Sequence, residues 1–104
     1  MIVTTTDTVP NKKISEILGV VRGNTIRARW FGRDIAAGFK TIVGGEVKSY
    51  TDMMTKARDE AYQRMVEEAK KLKADAVVNV RFMTSEVMQG SAEMLAYGTA
   101  VKLK

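Results

Sequence analysis

The densest group of chemically capable side chains in this sequence is a run of arginines with two aromatic residues among them. The run consists of Arg22, Arg27, Arg29 and Arg33, with Trp30 and Phe31 between the last two. Alternate residues of a strand lie about 6.6 Å apart, so Arg27 and Arg29 could follow the phosphates of a nucleic acid, while the aromatic rings could stack on its bases. The same arginines could instead pair with carboxylates across a subunit interface, where arginine is enriched. We favour the interface, because no nucleic-acid-binding motif accompanies the run.

The composition provides poorly for catalysis and for binding of soft metals. The chain has no histidine and no cysteine, which removes the commonest general base, the thiol nucleophile and the usual ligands of heavy metals. Its seven methionines are expected to fill gaps in the core. Carboxylates remain as ligands for hard cations, but they lack the spacing of a calcium loop; they are Asp34, Glu46, Asp52, Glu86 and Glu93. We therefore predict no catalytic residue and no specific metal site, and we assign no cofactor.

The stretch 32–46 combines several glycines with an apolar pattern of helical period. Its apolar residues recur at i, i+4, i+7 and i+8, as on one face of a helix; they are Ile35, Phe39, Ile42 and Val43. Asp34 suits the positive end of such a helix, and Gly44-Gly45 suits its left-handed stop. The glycines do not fit a phosphate-binding loop, because no Gly-Lys-Ser/Thr follows them. The pattern predicts a short amphipathic helix that ends in a tight turn.

Gly38 lies in the middle of this predicted helix, where glycine costs about 1 kcal/mol relative to alanine. Such a cost is tolerated where another backbone must come close, and we expect that backbone to belong to a neighbouring subunit. The candidate ligand or interface residues are therefore Arg27, Arg29, Arg33, Asp34, Gly38, Gly44, Gly45 and Glu46.

The remaining elements are predicted from hydrophobic periodicity and turn residues. We predict a first strand at 2–4, a turn at 9–12, a strand or strand pair at 14–29 that is interrupted at Gly19 and at Gly23-Asn24, a helix at 50–73, and a hairpin with strands at 76–87 and 92–103. Ser49 is the predicted N-cap of the long helix, with Asp52 completing a capping box. The predicted inner face of this helix is Met54, Ala57, Ala61, Met65, Ala69 and Leu72, and the predicted ion pairs are Glu60 with Arg64 and Glu67 with Lys71.

Adjacent apolar residues in the predicted strands place hydrophobic side chains on both faces of the sheet. Val20-Val21 and Val77-Val78 are the clearest cases. One long and one short helix cannot cover both faces of a four-stranded sheet, so the sheet either closes into a barrel or meets another subunit. We favour the subunit. The predicted class is α+β, with a curved antiparallel or mixed sheet, one long helix and one short helix.

The length of the chain predicts one small domain that spans residues 1–104. A chain of 104 residues is near the commonest domain size. Its net charge of +5 favours anionic partners in principle, but acidic and basic residues alternate between Asp52 and Lys73, as on a solvated helix. No apolar run has membrane-spanning length, and the first residues lack the pattern of a signal peptide. We expect a cytoplasmic protein without a membrane partner.

Short segments along nearly the whole chain, in order, resemble the YbjQ-like family. They are residues 4–6 (TTT), 19–24 (GVVRGN), 27–29 (RAR), 32–38 (GRDIAAG), 42–46 (IVGGE), 50–51 (YT), 57–61 (ARDEA), 74–82 (ADAVVNVRF) and 96–101 (AYGTAV). The resemblance implies a bacterial or archaeal protein with a dodecin-like β/α subunit. It also implies a ring-like homopentamer, or two stacked pentamers, with strands exchanged between subunits. The family's label is heavy-metal binding, and the resemblance supplies no catalytic residues.

Three functional hypotheses follow from the sequence. The first is an oligomeric, non-enzymatic binding or scaffold protein with any site for a small ligand or ion between subunits. The second is a metal-ion binding protein, which the family label suggests and the absence of histidine and cysteine weakens. The third is a nucleic-acid or anion binder that uses Arg27, Arg29 and Arg33, although nucleic acid is not the partner we expect.

Overall fold

The computed structural model describes residues 1–28, 48–88 and 91–104. In chain order, the elements are strand β1 (Ile2–Val3), strand β2 (Ile14–Ala28), helix α1 (Lys48–Lys71), strand β3 (Ala76–Met88) and strand β4 (Ser91–Leu103). The strands form one mixed sheet in the order β1-β3-β4-β2. The predicted α+β class is confirmed. The predicted short helix falls within 29–47 and lies outside the described residues.

Strands β3 and β4 form the predicted hairpin, and both flanking strands are added to it. β4 pairs antiparallel with β3 on one side and with β2 on the other, whereas β1 pairs in parallel with β3. The residues that follow β1 extend its pairing with β3. The Val80 amide donates to the Thr4 carbonyl (3.0 Å), and the Asn79 amide donates to the Thr6 carbonyl (2.9 Å). The N-terminal segment therefore covers the edge of β3 only as far as Val80.

Strand β2 is one continuous strand of 15 residues. The predicted irregularity at Gly19 is confirmed, because the register shifts between Ile17 and Gly19 and the φ of Gly19 is +133°. The predicted interruption at Gly23-Asn24 is wrong. Gly23 and Asn24 pair in register with Ala96 and Leu95, so the reason for a glycine at position 23 lies elsewhere.

Helix α1 packs on one face of the sheet, mainly across β2 and β4. Its buried residues are Met54, Ala57, Ala61, Met65, Val66 and Ala69, which form one core with Val21, Val77, Val80, Met94, Ala96 and Ala100 of the sheet. The predicted inner face is thus confirmed except at Leu72, which is 43% exposed. Leu72 leaves the inner face because α1 ends at Lys71, one residue before it.

The glycine at position 23 is explained by the distance between β2 and α1. A Cβ atom at this position would lie 2.6 Å from the Cβ of Arg64, and closer still to the Ala61 carbonyl oxygen and the Met65 amide nitrogen. Two of these three obstacles are backbone atoms, which cannot turn aside as a flexible side chain can. Among the described residues, Gly23 is therefore the position at which the backbones of β2 and α1 nearly touch.

The N-terminal end of α1 differs from the prediction. The helix begins at Lys48 rather than at Tyr50, so Ser49 and Asp52 lie inside it and the predicted N-cap and capping box are wrong.

Of the predicted ion pairs, Glu60–Arg64 is present at 3.8 Å, whereas Lys71 pairs with Glu68 (3.5 Å) rather than with Glu67. Alternative pairs of this kind interchange easily on an exposed helix, because each contributes only a few tenths of a kcal/mol.

The C-terminal end of α1 closes with a Schellman motif that has a lysine at its left-handed position. The Ala74 amide donates to the Ala69 carbonyl (3.1 Å), the Lys73 amide donates to the Lys70 carbonyl (2.9 Å), and the φ of Lys73 is +60°. Glycine is the residue that occupies this position without a steric penalty. The two hydrogen bonds explain why the chain accepts a strained lysine here.

Lys73→Gly is therefore expected to raise the free energy of unfolding by about 1 kcal/mol, because it removes the left-handed strain at an exposed side chain. Lys70→Gly serves as the matched control, since the same change inside the helix costs up to about 1 kcal/mol. Urea denaturation of both variants at one protein concentration measures the two effects. A Lys73→Gly variant that loses stability would contradict the assigned motif.

In the described part of the chain, no helix combines the length and the apolar character that crossing a membrane requires.

Candidate interaction surface

The sheet has a second face, opposite α1, which we call the outer face. Side chains alternate along β2, so that Val21 and Thr25 point toward α1 and are buried, while Val20, Arg22 and Asn24 point the other way. One end of the outer face is covered, because Val9 and Leu103 pack there against Ala76, Val78 and Val101. The rest of the face has no described element over it. Apolar residues on both faces of the sheet were predicted from the sequence and are confirmed.

The register of the three long strands places the outer-face residues in cross-strand rows. Each row takes one residue from β2, one from β4 and one from β3; the four rows are Val20–Thr99–Val78, Arg22–Tyr97–Arg81, Asn24–Leu95–Met83 and Ile26–Glu93–Ser85. Residues directly opposite each other have Cβ atoms about 5 Å apart and interact as neighbours. These four rows thus combine apolar, aromatic and cationic side chains, with one carboxylate in the last row.

Several apolar side chains of the outer face are exposed to an extent that is unusual for a sheet. Val20 is 70% exposed, Ile17 69%, Ile26 55% and Met83 52%. Three of these four residues belong to β2. Scattered exposed apolar residues are ordinary, but a contiguous group marks an interaction surface. The residues of β2 are not contiguous, since Arg22 and Asn24 lie between Val20 and Ile26, but β2 carries more of the exposed large apolar side chains than any other described strand.

Both lateral edges of the sheet are open over long stretches. β2 is the last strand of the sheet, and no described strand pairs with its outer side. β3 has the N-terminal segment beside it as far as Val80, and nothing described pairs with its outer side from Arg81 to Met88. Unpaired strand edges expose rows of amide and carbonyl groups, which readily accept another strand.

A chain of polar contacts connects α1 to β2, and β2 to the outer face of β4. The Thr25 hydroxyl, which is buried, donates to the Glu60 carboxylate (3.2 Å), and the Arg64 guanidinium donates to the Asn24 carbonyl. The Asn24 side-chain amide in turn donates to the Glu93 carboxylate (3.1 Å) on the outer face. These contacts connect β2 to both the helix and β4.

Most residues that the sequence singled out lie outside the described residues. These are Arg29, Arg33, Asp34, Gly38, Gly44, Gly45 and Glu46. Arg27 lies in β2 opposite Ala92, and its side chain is likewise outside the description. The close backbone approach predicted at Gly38 is therefore untested, while a close approach within the subunit occurs at Gly23.

Over the ranges 1–28, 48–88 and 91–104, no three or more Asp and Glu side chains come together as potential metal ligands. Glu93 is engaged by Asn24, and Asp75 accepts a hydrogen bond from the Leu103 amide (2.9 Å) and lies 3.9 Å from the Lys102 ammonium. These two carboxylates thus serve local structural contacts.

In the described residues, a four-stranded mixed sheet with one helix packed across one face defines a small α+β protein. The chain belongs to the YbjQ family, whose model is described as "Putative heavy-metal-binding" and matches residues 1–104. Relatives called UPF0145 proteins support this. The relative from Archaeoglobus fulgidus is 64% identical over 104 residues, which cover all of this chain and 96% of the relative.

Two further comparisons extend this result in sequence and in structure. A UPF0145 protein from Vibrio parahaemolyticus is 59% identical over 103 residues, which cover 99% of this chain and 98% of that protein. A crystal structure of a protein with unknown function from Pediococcus pentosaceus, which belongs to the DUF74 family, superposes with a TM-score of 0.66 at 19% identity. It covers all of this chain and 98% of its own. At that identity the likeness shows the fold.

The alignment of Arg22, Tyr97 and Arg81 in one row was not recognised from the sequence. In the sequence, Arg22 lies near the arginines that follow it and far from Arg81 and Tyr97. The row depends on the bulge at Asn79 and Val80, which shifts the pairing of β3 so that Arg81 lies opposite Tyr97. The left-handed φ of Asn79, +54°, is a conformation that asparagine tolerates better than most residues. An asparagine within a run of valines was thus the available signal for a bulge.

Proposed function

We propose that this protein is a self-associating, non-enzymatic binding or scaffold protein whose subunits join through the open edges of their sheets. The observation that carries the proposal is that, among the described strands, two edges on opposite sides of one sheet have no partner: β2 on one side and residues 81–88 of β3 on the other. The exposed Val20 and Ile26 side chains along β2 add apolar area for a neighbouring strand to cover.

The two edges differ, and this difference favours a ring. A contact between two different surfaces is heterologous, and repeated heterologous contacts close into rings when the rotation permits. The free edge of β3 and the stretch of β2 from Val20 to Ala28 have similar lengths, so one can pair with the other along its whole extent. The resemblance to ring-forming, dodecin-like subunits supports a homopentamer, single or stacked.

The composition supports a binding rather than a catalytic role. Without histidine or cysteine, the chain lacks the side chains that most often serve as general base, thiol nucleophile or heavy-metal ligand. Any site for a small ligand or ion is proposed to lie between subunits, where residues of two copies of the chain combine.

The mass of the protein in solution tests the proposal. Light scattering coupled to size exclusion is expected to give about five times the subunit mass of 11.5 kDa, or about ten times for stacked rings, at micromolar concentration. Serial dilution gives the concentration at which the assembly dissociates. A mass of one subunit throughout this range would refute the proposal.

A further inference from the structure

We infer that the row Arg22–Tyr97–Arg81 on the outer face is a binding site for single-stranded nucleic acid. The inference goes beyond the proposed assembly and does not depend on it, since a strand added at a sheet edge lies beside the row and not over it. It also differs from the nucleic-acid hypothesis drawn from the sequence, which placed the contact at Arg27, Arg29 and Arg33.

The first argument is the order of the side chains across the sheet. Tyr97 on the central strand β4 is paired with Arg22 of β2 on one side and with Arg81 of β3 on the other. Neighbouring strands are about 4.8 Å apart, so one arginine lies on each side of Tyr97 in the sheet. A nucleotide within a chain has the matching pattern, since its base can stack on the ring while the phosphates on its two sides meet the two arginines.

The second argument is that the charges of this row are not neutralised. In the part of the chain that the structure describes, Arg22 is exposed and makes no ion pair or hydrogen bond through its side chain. Arg81 donates to the carbonyls of Thr5 (3.0 Å) and Val80 (2.9 Å), which orient its guanidinium without cancelling its charge. The carboxylate of the outer face, Glu93, is two rows away and is bonded to Asn24.

The third argument is the character of the neighbouring rows. Val20 and Thr99 precede the row, and Asn24, Leu95 and Met83 follow it. Successive rows lie about 6.6 Å apart along the strands. A backbone whose phosphates meet Arg22 and Arg81 runs along the row, so these neighbouring side chains flank the nucleotide without adding a repelling charge, and the net charge of +5 favours approach of a polyanion.

The probe is a fluorescently labelled single-stranded oligouridylate of about 12 nucleotides, which is within the site sizes of known single-strand-binding folds. Fluorescence anisotropy at about 50 mM salt, where phosphate contacts are strong, measures its dissociation constant for the full-length protein. We expect saturable binding that weakens with salt. Arg22→Ala is expected to weaken binding at least fivefold and to lower the slope of affinity against salt by about one ion.

Matched variants separate this site from general charge attraction. Arg58→Ala removes an exposed arginine from α1, outside the outer face, and is expected to leave the affinity within twofold. Tyr97→Leu keeps an apolar side chain at a half-buried position and removes stacking, so it is expected to weaken binding about fivefold, whereas Tyr97→Phe retains binding. Circular dichroism of each variant checks that it is folded.

Three outcomes would overturn the inference: no binding of the oligonucleotide, equal losses in Arg22→Ala and Arg58→Ala, or equal affinity for a duplex of the same length. Vesicles containing phosphatidylserine serve as a further arm. Binding to vesicles without binding to the oligonucleotide would assign the row to a membrane surface and refute the inference.

Discussion

Gly23→Ala is expected to lower the free energy of unfolding by about 3 kcal/mol, at the upper end of the range for overpacked interiors. The added methyl group would overlap the Ala61 carbonyl oxygen and the Met65 amide nitrogen, which belong to the backbone of α1. The helix must therefore move away from β2 as a body, and that movement loosens the contacts of Ala61 and Met65 with the core. A loss of this size is a large fraction of the stability of a small domain.

Gly19 is the matched control for this prediction, because it is a glycine of the same strand that is required for another reason. Its φ is +133° and no atom lies within 4 Å of the position where a Cβ would be. A side chain there is strained by the backbone, at a cost of about 1–3 kcal/mol, but has open space around it. The cost at position 19 should therefore be similar for alanine and valine, whereas at position 23 it should rise steeply from alanine to valine.

Guanidinium unfolding of the four variants at one protomer concentration measures these effects. The fixed concentration matters because the stability of an associating protein depends on it. If Gly23→Val were no worse than Gly23→Ala, the close approach of β2 and α1 would be wrong.

The double substitution Val20→Lys with Ile26→Lys is expected to dissociate the assembly. Both side chains are largely exposed in the subunit, so the fold should be retained, with a stability change within about 0.5 kcal/mol per substitution. In the assembly they lie along the edge that another strand joins. Covering a valine or isoleucine contributes about 1.5–3 kcal/mol, and lysine both forfeits this and repels an incoming strand. We therefore expect the dissociation constant to rise about tenfold or more for each substitution.

Leu72→Lys is the control for this experiment. Leu72 is an exposed apolar residue that follows the end of α1 and belongs to no strand of the sheet, and the substitution adds the same charge. Light scattering should give the wild-type mass for Leu72→Lys and a lower mass for the double variant, with unchanged far-ultraviolet circular dichroism in both. A double variant that keeps the wild-type mass would place the contact between subunits elsewhere.

Local periodicity was sufficient to predict the elements that are governed by it. The recurrence of alanine and methionine along α1 predicted its inner face, and two β-rich runs separated by a short turn segment predicted the hairpin. The turn at 9–12 was also predictable: the Lys12 amide donates to the Val9 carbonyl (3.1 Å) and Asn11 has a φ of +64°, as Pro10-Asn11 suggests.

Features that depend on contacts between distant segments were not predictable in this way. Gly23 was interpreted as a break in β2, because nothing local indicates that residues 61–65 approach it. Leu72 fits the helical period but follows the end of the helix, which is set by the hydrogen bonds of Lys73 and Ala74. The Arg22–Tyr97–Arg81 row arises only once the bulge in β3 has set the register. The open edges of the sheet likewise follow from strand order, which periodicity does not encode.

The family's label gives the chain an expectation of heavy-metal binding, and the residue types determine how far it applies here. Heavy metals prefer thiolate, thioether and imidazole ligands. Of these the chain has thioethers alone, and Met54, Met65 and Met94 are buried in the core between α1 and the sheet. The proposed role in binding through the sheet uses none of these three methionines.

Residue-resolved amide hydrogen exchange of β2 is the most direct test of assembly through the sheet edges. In an antiparallel pair, alternate residues of β2 bond to β4 and those between them point outward. At concentrations where the protein is assembled, we predict slow exchange at consecutive amides from Val20 to Ala28, and a return to alternation in the Val20→Lys, Ile26→Lys variant. Alternating fast and slow amides in the fully assembled wild-type protein would show that no strand joins this edge, and would contradict the account.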